Sequence, residues 1–131
     1  MARGIEIREA HFPGRAPIDA YGAGGFRFAD MSHRGSILCL PSGVHGWDVT
    51  SAAGIDAASL ARVFDEHGAI EVLLVGMGRE FGRIERALQA SLRENGIVTD
   101  TMSTGSAVRT YNVLLAEDRA VAAALIAVDE A

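Results

Sequence analysis

IVTDTMSTGSAVRTYNVLLAEDRAVAAALIAV, residues 97–128, reads as a strand, a helix and a second strand, and that order decides the fold. Ile97 to Met102 is the first strand. A helix opens at Ser103 or Thr104, where a hydroxyl accepts a hydrogen bond from the first free backbone N–H groups. At about 100° per residue, Ala107, Val108, Tyr111, Leu114 and Leu115 fall on one broad face, the face a helix buries. Val121 to Val128 is then apolar on both faces, as in a strand covered from two sides.

Upstream, Ile70 to Val75 is another apolar run too short for a helix. Before it, Ala57, Leu60, Ala61, Phe64 and His67 line one helical face; Asp56 caps the start and Gly68 follows the end, where His67 meets free carbonyls. A further helix spans Arg79 to Glu94, with Phe81, Ile84, Leu88 and Leu92 inward and Asn95-Gly96 as its stop. Strands alternating with helices from residue 56 onward predict crossover units and a largely parallel sheet with helices packed on it.

The first third has a different rhythm. Ile5-Glu6-Ile7 alternates like a half-buried strand, and Pro13, Gly14 and Pro17 turn the chain. Ile18 to Tyr21, Phe26 to Phe28 and Ser36 to Leu40 read as short strands separated by Gly-rich or polar turns, and Pro41-Ser42-Gly43 leads into Val44 to Val49. This third adds a β-hairpin or meander to the α/β unit. No repeat or linker composition divides the chain, so residues 1–131 are expected to form a single domain.

Composition narrows the function classes. Hydrophobic residues make up 49% and charged residues 22%, the balance of a soluble globular protein. A net charge of −5 with arginines spread along the chain leaves no basic footprint, so nucleic acid is not the expected partner. The longest apolar run is half a membrane span, and Met1 to Glu6 has no apolar leader pattern, so no membrane insertion is expected. The lone Cys39, inside Ile37 to Leu40, has no disulfide partner in the chain and reads as a small buried side chain; the expected location is the cytoplasm.

Several residues carry possible chemistry. Arg109, Asn112 and Val113 lie on the far side of the third helix from its core face, and a polar side holding a valine suggests a second neighbour. Gly76-Met77-Gly78 follows a buried strand, where backbone N–H groups receive anions; the GxGxxxG spacing through Gly82 is a poor dinucleotide fingerprint, and no cofactor is expected. Ser103-Thr104-Gly105 sits at the equivalent end of the next strand. In a parallel sheet the two loops share one edge, where Arg109 would clamp a phosphate or carboxylate, or else pair with Asp100. Ser42, His45 and Asp48 lack the nucleophile-elbow pattern, and the four dispersed histidines make no metal set. His33-Arg34-Gly35 has the composition of a β-turn, a secondary contact for an acidic partner.

YGAGGFRF at 21–28, HRGSILCLPSGVHGW at 33–47, LLVGMG at 73–78 and residues 102–119 together resemble a family of small uncharacterised α/β proteins that includes a mitochondrial respiratory complex I assembly factor and a human adipogenesis-associated protein. The resemblance implies a single three-layer α/β domain with a central mixed sheet. It also implies a non-enzymatic accessory role in biogenesis of a respiratory or membrane complex, exercised by binding protein partners. The competing expectation is a small anionic-ligand binder or enzyme using Gly76, Gly78, Ser103, Thr104, Gly105 and Arg109. A homodimer through Val113 or an edge strand is a third.

Overall fold

Both ends of the chain contribute strands to one sheet, because the runs that bury on two faces lie far apart in sequence. The computed structural model describes residues 11–79 and 82–130. Its strands are β1 (His11–Pro13), β2 (Ala20–Gly22), β3 (Gly25–Phe28), β4 (Met31–Arg34), β5 (Ser36–Leu40), β6 (Gly43–Trp47), β7 (Val72–Gly76), β8 (Val98–Met102) and β9 (Val121–Leu125). The helices are α1 (Ala61–Asp65), α2 (Arg86–Glu94) and α3 (Thr104–Ala116). Six strands form the central sheet in the order β1-β6-β5-β9-β7-β8, and β2-β3-β4 make a second, three-stranded sheet.

The central sheet is mixed for a reason visible in its connections. Helical crossovers through α2 and α3 allow β7 to pair in parallel with β8 and β9. The tight turn at Pro41-Ser42 forces β5 and β6 antiparallel, and β5 meets β9 antiparallel with Ile37 opposite Leu125. The parallel part is therefore confined to β9, β7 and β8. Strand β9 joins the two halves, and all five of its residues are buried.

Side chains alternate between two cores. Leu38, Leu40, Leu73, Val75, Ala122 and Ala124 face Leu60, Val63, Leu88 and Leu92 in the layer of α1 and α2. Ile37, Cys39, Leu74, Ala123 and Leu125 face the opposite layer, where Ala107, Val108 and Tyr111 of α3 pack beside Phe26 and Phe28 of the small sheet. The N-terminal meander thus shares a layer with α3.

Several boundaries differ from the sequence reading. Helix α1 starts at Ala61, not Asp56, because Asp56 and Ser59 form a turn: the Ser59 N–H donates to Asp56 Oδ1 at 2.8 Å and the Asp56 N–H to Ser59 Oγ at 3.0 Å. Leu60 is buried and Phe64 packs against the same core, as expected, but Val63 completes the inward face while Ala57, Ala61 and His67 are exposed. His67 Nδ1 does lie 2.8 Å from the Phe64 carbonyl, the contact expected at a helix end. Helix α2 begins at Arg86, not Arg79: Gly82 lies so close to Met77 that a Cβ there would stand 2.8 Å from its Cε, and Glu85 is extended. Its end is as expected, with Gly96 at φ +83° and N–H groups of Gly96 and Ile97 returning to Arg93 and Leu92.

Strands β1 and β4 were not expected. His33-Arg34 is not a turn: both residues close β4, with His33 buried opposite Phe26, and Gly35 at φ +98° makes the bend. The expected Ile5-Glu6-Ile7 strand and the inward place of Phe81 lie outside the described residues.

Candidate functional site

The Gly76–Gly78 and Ser103–Gly105 loops meet at the C-terminal ends of β7 and β8, and Thr104 joins them. Its side chain occupies the space left by Gly76, where a Cβ would stand 2.9 Å from Thr104 Cα. Thr104 Oγ1 donates to the Ile126 carbonyl at 2.6 Å and accepts the Gly78 N–H at 3.0 Å, while the Thr104 N–H donates to the Gly78 carbonyl at 2.8 Å. Thr104 is fully buried. The Gly78 amide, a donor that an anion would need, is therefore used inside the fold.

Ser103 is the N-cap of α3; its Oγ accepts the Ser106 N–H at 3.2 Å. Gly105 lies beneath the Tyr21 hydroxyl, where a Cβ would collide. Beyond the lock, Gly78 lines one wall of a hollow of about 510 Å³, with Arg79, Thr50, Ser51, Met77 and Asp129 among its other walls. Arg79 lies 3.9 Å from Glu130 in an exposed pair. Arg109 does not line this hollow.

Arg109 instead stands exposed on α3, its guanidinium 3.4 Å from Ser106 Oγ. The expected bridge to Asp100 is not formed: Asp100 is exposed on β8 and lines a separate hollow with Arg83 and Arg86. Asn112 has a neighbour within the chain. Its Oδ1 accepts the Ile18 N–H and its Nδ2 donates to the Ile18 carbonyl, both at 2.9 Å, so it imitates a strand partner for the segment entering β2. Val113 is 56% exposed. The outer face of α3 thus separates into an internal clamp, Asn112, and two side chains directed to solvent.

Ser42 and His45 are in contact, with Oγ and Nε2 2.9 Å apart, but Asp48 takes no part. Glu66 binds the serine directly, accepting from Ser42 Oγ at 2.6 Å and from the Ser42 N–H at 2.9 Å. A nucleophilic triad needs the carboxylate on the histidine, leaving the serine to give its proton to the imidazole. Here the carboxylate fastens the β5–β6 turn to the end of α1. Cys39 is buried, and burial pushes its thiol up to about 12, partly offset by a hydrogen bond with Tyr111; it packs as a neutral group. Burial raises the Tyr111 hydroxyl as well. Among the described residues no three His, Cys, Asp or Glu side chains cluster closely enough to hold a metal ion.

Sequence reasoning missed the Thr104 lock, the Tyr21 cover and the role of Glu66. Gly76 and Gly105 did signal close approach, since glycine is favoured where another group must touch the backbone. The identity of the approaching group is a tertiary fact.

Comparison with other proteins agrees with this architecture. The family described as protein of unknown function (DUF498/DUF598) matches residues 18–126. A Rhodobacter capsulatus protein is 40% identical over 119 residues, covering 91% of this chain and 90% of its own. Mouse NADH dehydrogenase (ubiquinone) 1 alpha subcomplex assembly factor 3 is 30% identical over 122 residues, and the match spans 93% of this chain and 66% of the mouse protein. The crystal structure of a Bartonella henselae protein described as an outer membrane protein superposes with a TM-score of 0.87 at 63% identity, over 90% of this chain and 99% of that one. Among the described residues no helix is long and apolar enough to cross a membrane.

Proposed function

The chain belongs to the DUF498/DUF598 family, and from that membership we propose that it is a non-enzymatic accessory protein acting by binding other proteins during biogenesis of a respiratory or membrane complex. The observation that carries the reading is the outer face of α3, where Val113 is 56% exposed one turn from the exposed Arg109. The helix beneath them is rigidly held by Ala107, Val108 and Tyr111 on one side and the Asn112 clamp on another. On a fixed helix, docking adds no backbone ordering, so the entropy lost is that of the two side chains. Arg109 and Val113 are the contact residues in this reading; Gly76, Thr104 and Asn112 hold the frame, and Arg34, exposed at the end of β4, is a secondary contact. The working location is the cytoplasm, which cell fractionation tests.

The test is a native-lysate pull-down with folded Arg109→Ala and Val113→Asp variants. Capture of respiratory or membrane-complex subunits by the wild type and their loss in the variants is the expected result; full retention of partners by both variants would sink it. Sedimentation at two concentrations separates a homodimer through Val113 from a foreign partner.

A second reading, binding of a small anion, draws on the 510 Å³ hollow at the ends of β7 and β9, with Arg79 beside Gly78 in place of Arg109. Titration with inorganic phosphate, followed by the amide signals of Gly78 and Arg79, decides it: saturable shifts support the site and unchanged signals remove it.

A further inference from the structure

Strand β8 is an open edge of the central sheet, and we propose that this edge and the arginines beside it bind an extended acidic segment of a partner protein as an added strand. The Val98 N–H bonds to the Glu71 carbonyl at 2.9 Å and the Met102 carbonyl accepts the Met77 N–H at 2.8 Å, so Val98, Asp100 and Met102 turn their main chain toward β7. By strand alternation Thr99 and Thr101 turn theirs outward, where, among the described residues, no strand meets them. Their side chains share a face with Leu73 and Val75, the face covered by α2.

Beside that edge lies a hollow of about 480 Å³ lined by Arg83, Arg86, Gln89, Thr99, Asp100 and Thr101. Among the described residues neither arginine has an ion-pair partner. Thr99 Oγ1 is buried there without a hydrogen-bond partner. Helix α2 begins at Arg86 with no acidic residue in its first turn, and its exposed N-cap, Glu85, makes no side-chain cap and does not line the hollow, whose own charges are two arginines and one aspartate. Asp100, the acidic residue of the lining, belongs to the other face of β8, opposite Leu74 in register. Outward main-chain groups, an orphaned hydroxyl and two unpaired guanidinium groups together match an extended chain carrying carboxylates at alternate positions. A second copy docked through β8 brings two further arginines to the same edge, so an acidic foreign segment is the better occupant.

This inference shares with the proposed function the premise that the chain binds protein. The outer face of α3 lies on the opposite side of the sheet from the hollow beside α2, so the two fail separately.

The probe is a capped nonapeptide of alternating glutamate and valine, with its lysine counterpart as control, titrated into the full chain while amide hydrogen exchange is followed by NMR. Saturable binding that slows exchange at Thr99 and Thr101, and leaves Val98 and Asp100 unchanged, is expected. A folded R83E/R86E variant binds the glutamate peptide about tenfold or more weakly and gains the lysine peptide. Thr101→Pro, which removes an outward N–H and no bond to β7, also weakens binding, whereas Val113→Asp leaves it unchanged. No saturable binding of the glutamate peptide, equal binding of the lysine peptide, or binding without protection at Thr99 and Thr101 overturns the proposal. Protection of both amides that grows with protein concentration in the absence of peptide assigns the edge to a second copy and overturns it too.

Discussion

Thr104 and Thr99 stand on neighbouring segments of one chain in opposite circumstances. At the Thr104 corner the hydroxyl, the amide and the space above Gly76 are all matched by a partner within the fold. At the β8 edge, among the described residues, the Thr99 hydroxyl is buried unmatched and the flanking arginines have no ion-pair partner. Glycine loops at strand ends suggest an anion cradle by pattern, yet a cradle needs free donors, and here the Met77, Gly78 and Thr104 amides are bonded within the fold. The edge, which has no motif, is where binding capacity remains.

Gly76→Val gives the largest expected effect. Its side chain would meet Thr104 Cα at 2.9 Å and Leu125 Cδ2 at 3.1 Å, so unfolding free energy should fall by about 3 kcal/mol or more, read by denaturant titration. A near-wild-type midpoint would show that the corner is looser than described.

The same substitution at the two threonines makes the sharpest contrast. Thr104→Val keeps the shape while stranding the Ile126 carbonyl and the Gly78 amide, a loss of about 2–3 kcal/mol. Thr99→Val removes a group that has nothing to lose, and stability should stay within about 0.5 kcal/mol or rise. Equal losses at both positions would erase the distinction between corner and edge.

The alkaline response of the core beneath α3 accumulates with pH, and across its full window it is of the same order as the losses at the Thr104 corner. The Cys39 thiol sits at about 12 in the folded chain against 9.0 in the open, so the folded state holds its proton more tightly. Its contribution is complete below about pH 9 and is lost as pH rises toward 12, at about 1.4 kcal/mol per pH unit for one group. Denaturant midpoints measured across that window check it, with Cys39→Ala lowering the slope and the raised Tyr111 hydroxyl supplying what remains. Thiol reagents should leave the native chain unlabelled at neutral pH; rapid labelling would mean that the layer opens.

Legibility in the sequence followed the range of the interactions involved. The Ser103 cap, the Asn95-Gly96 stop, the buried runs of β7 and β9 and the β5–β6 turn were readable because each depends on a few adjacent residues. Strand β4 was not: His33 is polar and becomes a core residue only because Phe26 lies opposite. The sequence before Arg86 has helical spacing, but Gly82 lies against Met77, Glu85 is extended and α2 opens at Arg86. At the candidate site the meeting of the two glycine loops could be anticipated from the parallel order, whereas Arg109 could not be placed. A helical wheel gives its direction and not its distance from a loop, and that distance depends on how α3 settles on β7 and β9.

By itself, the amino-acid sequence determined the α/β class, the order of most elements, the neutral buried Cys39 and the exposure of Val113, since periodicity, capping and burial are set within one or two turns of chain. Tertiary structure alone decided that β9 lies between β5 and β7, that Asn112 serves Ile18, that Glu66 binds Ser42 and that β8 is left at an edge with Arg83 and Arg86 beside it. The physical reason is that these are choices of partner across tens of residues. Each donor in the sequence has many chemically equivalent acceptors, and only the packed sheet brings one of them within 3 Å or leaves it with none.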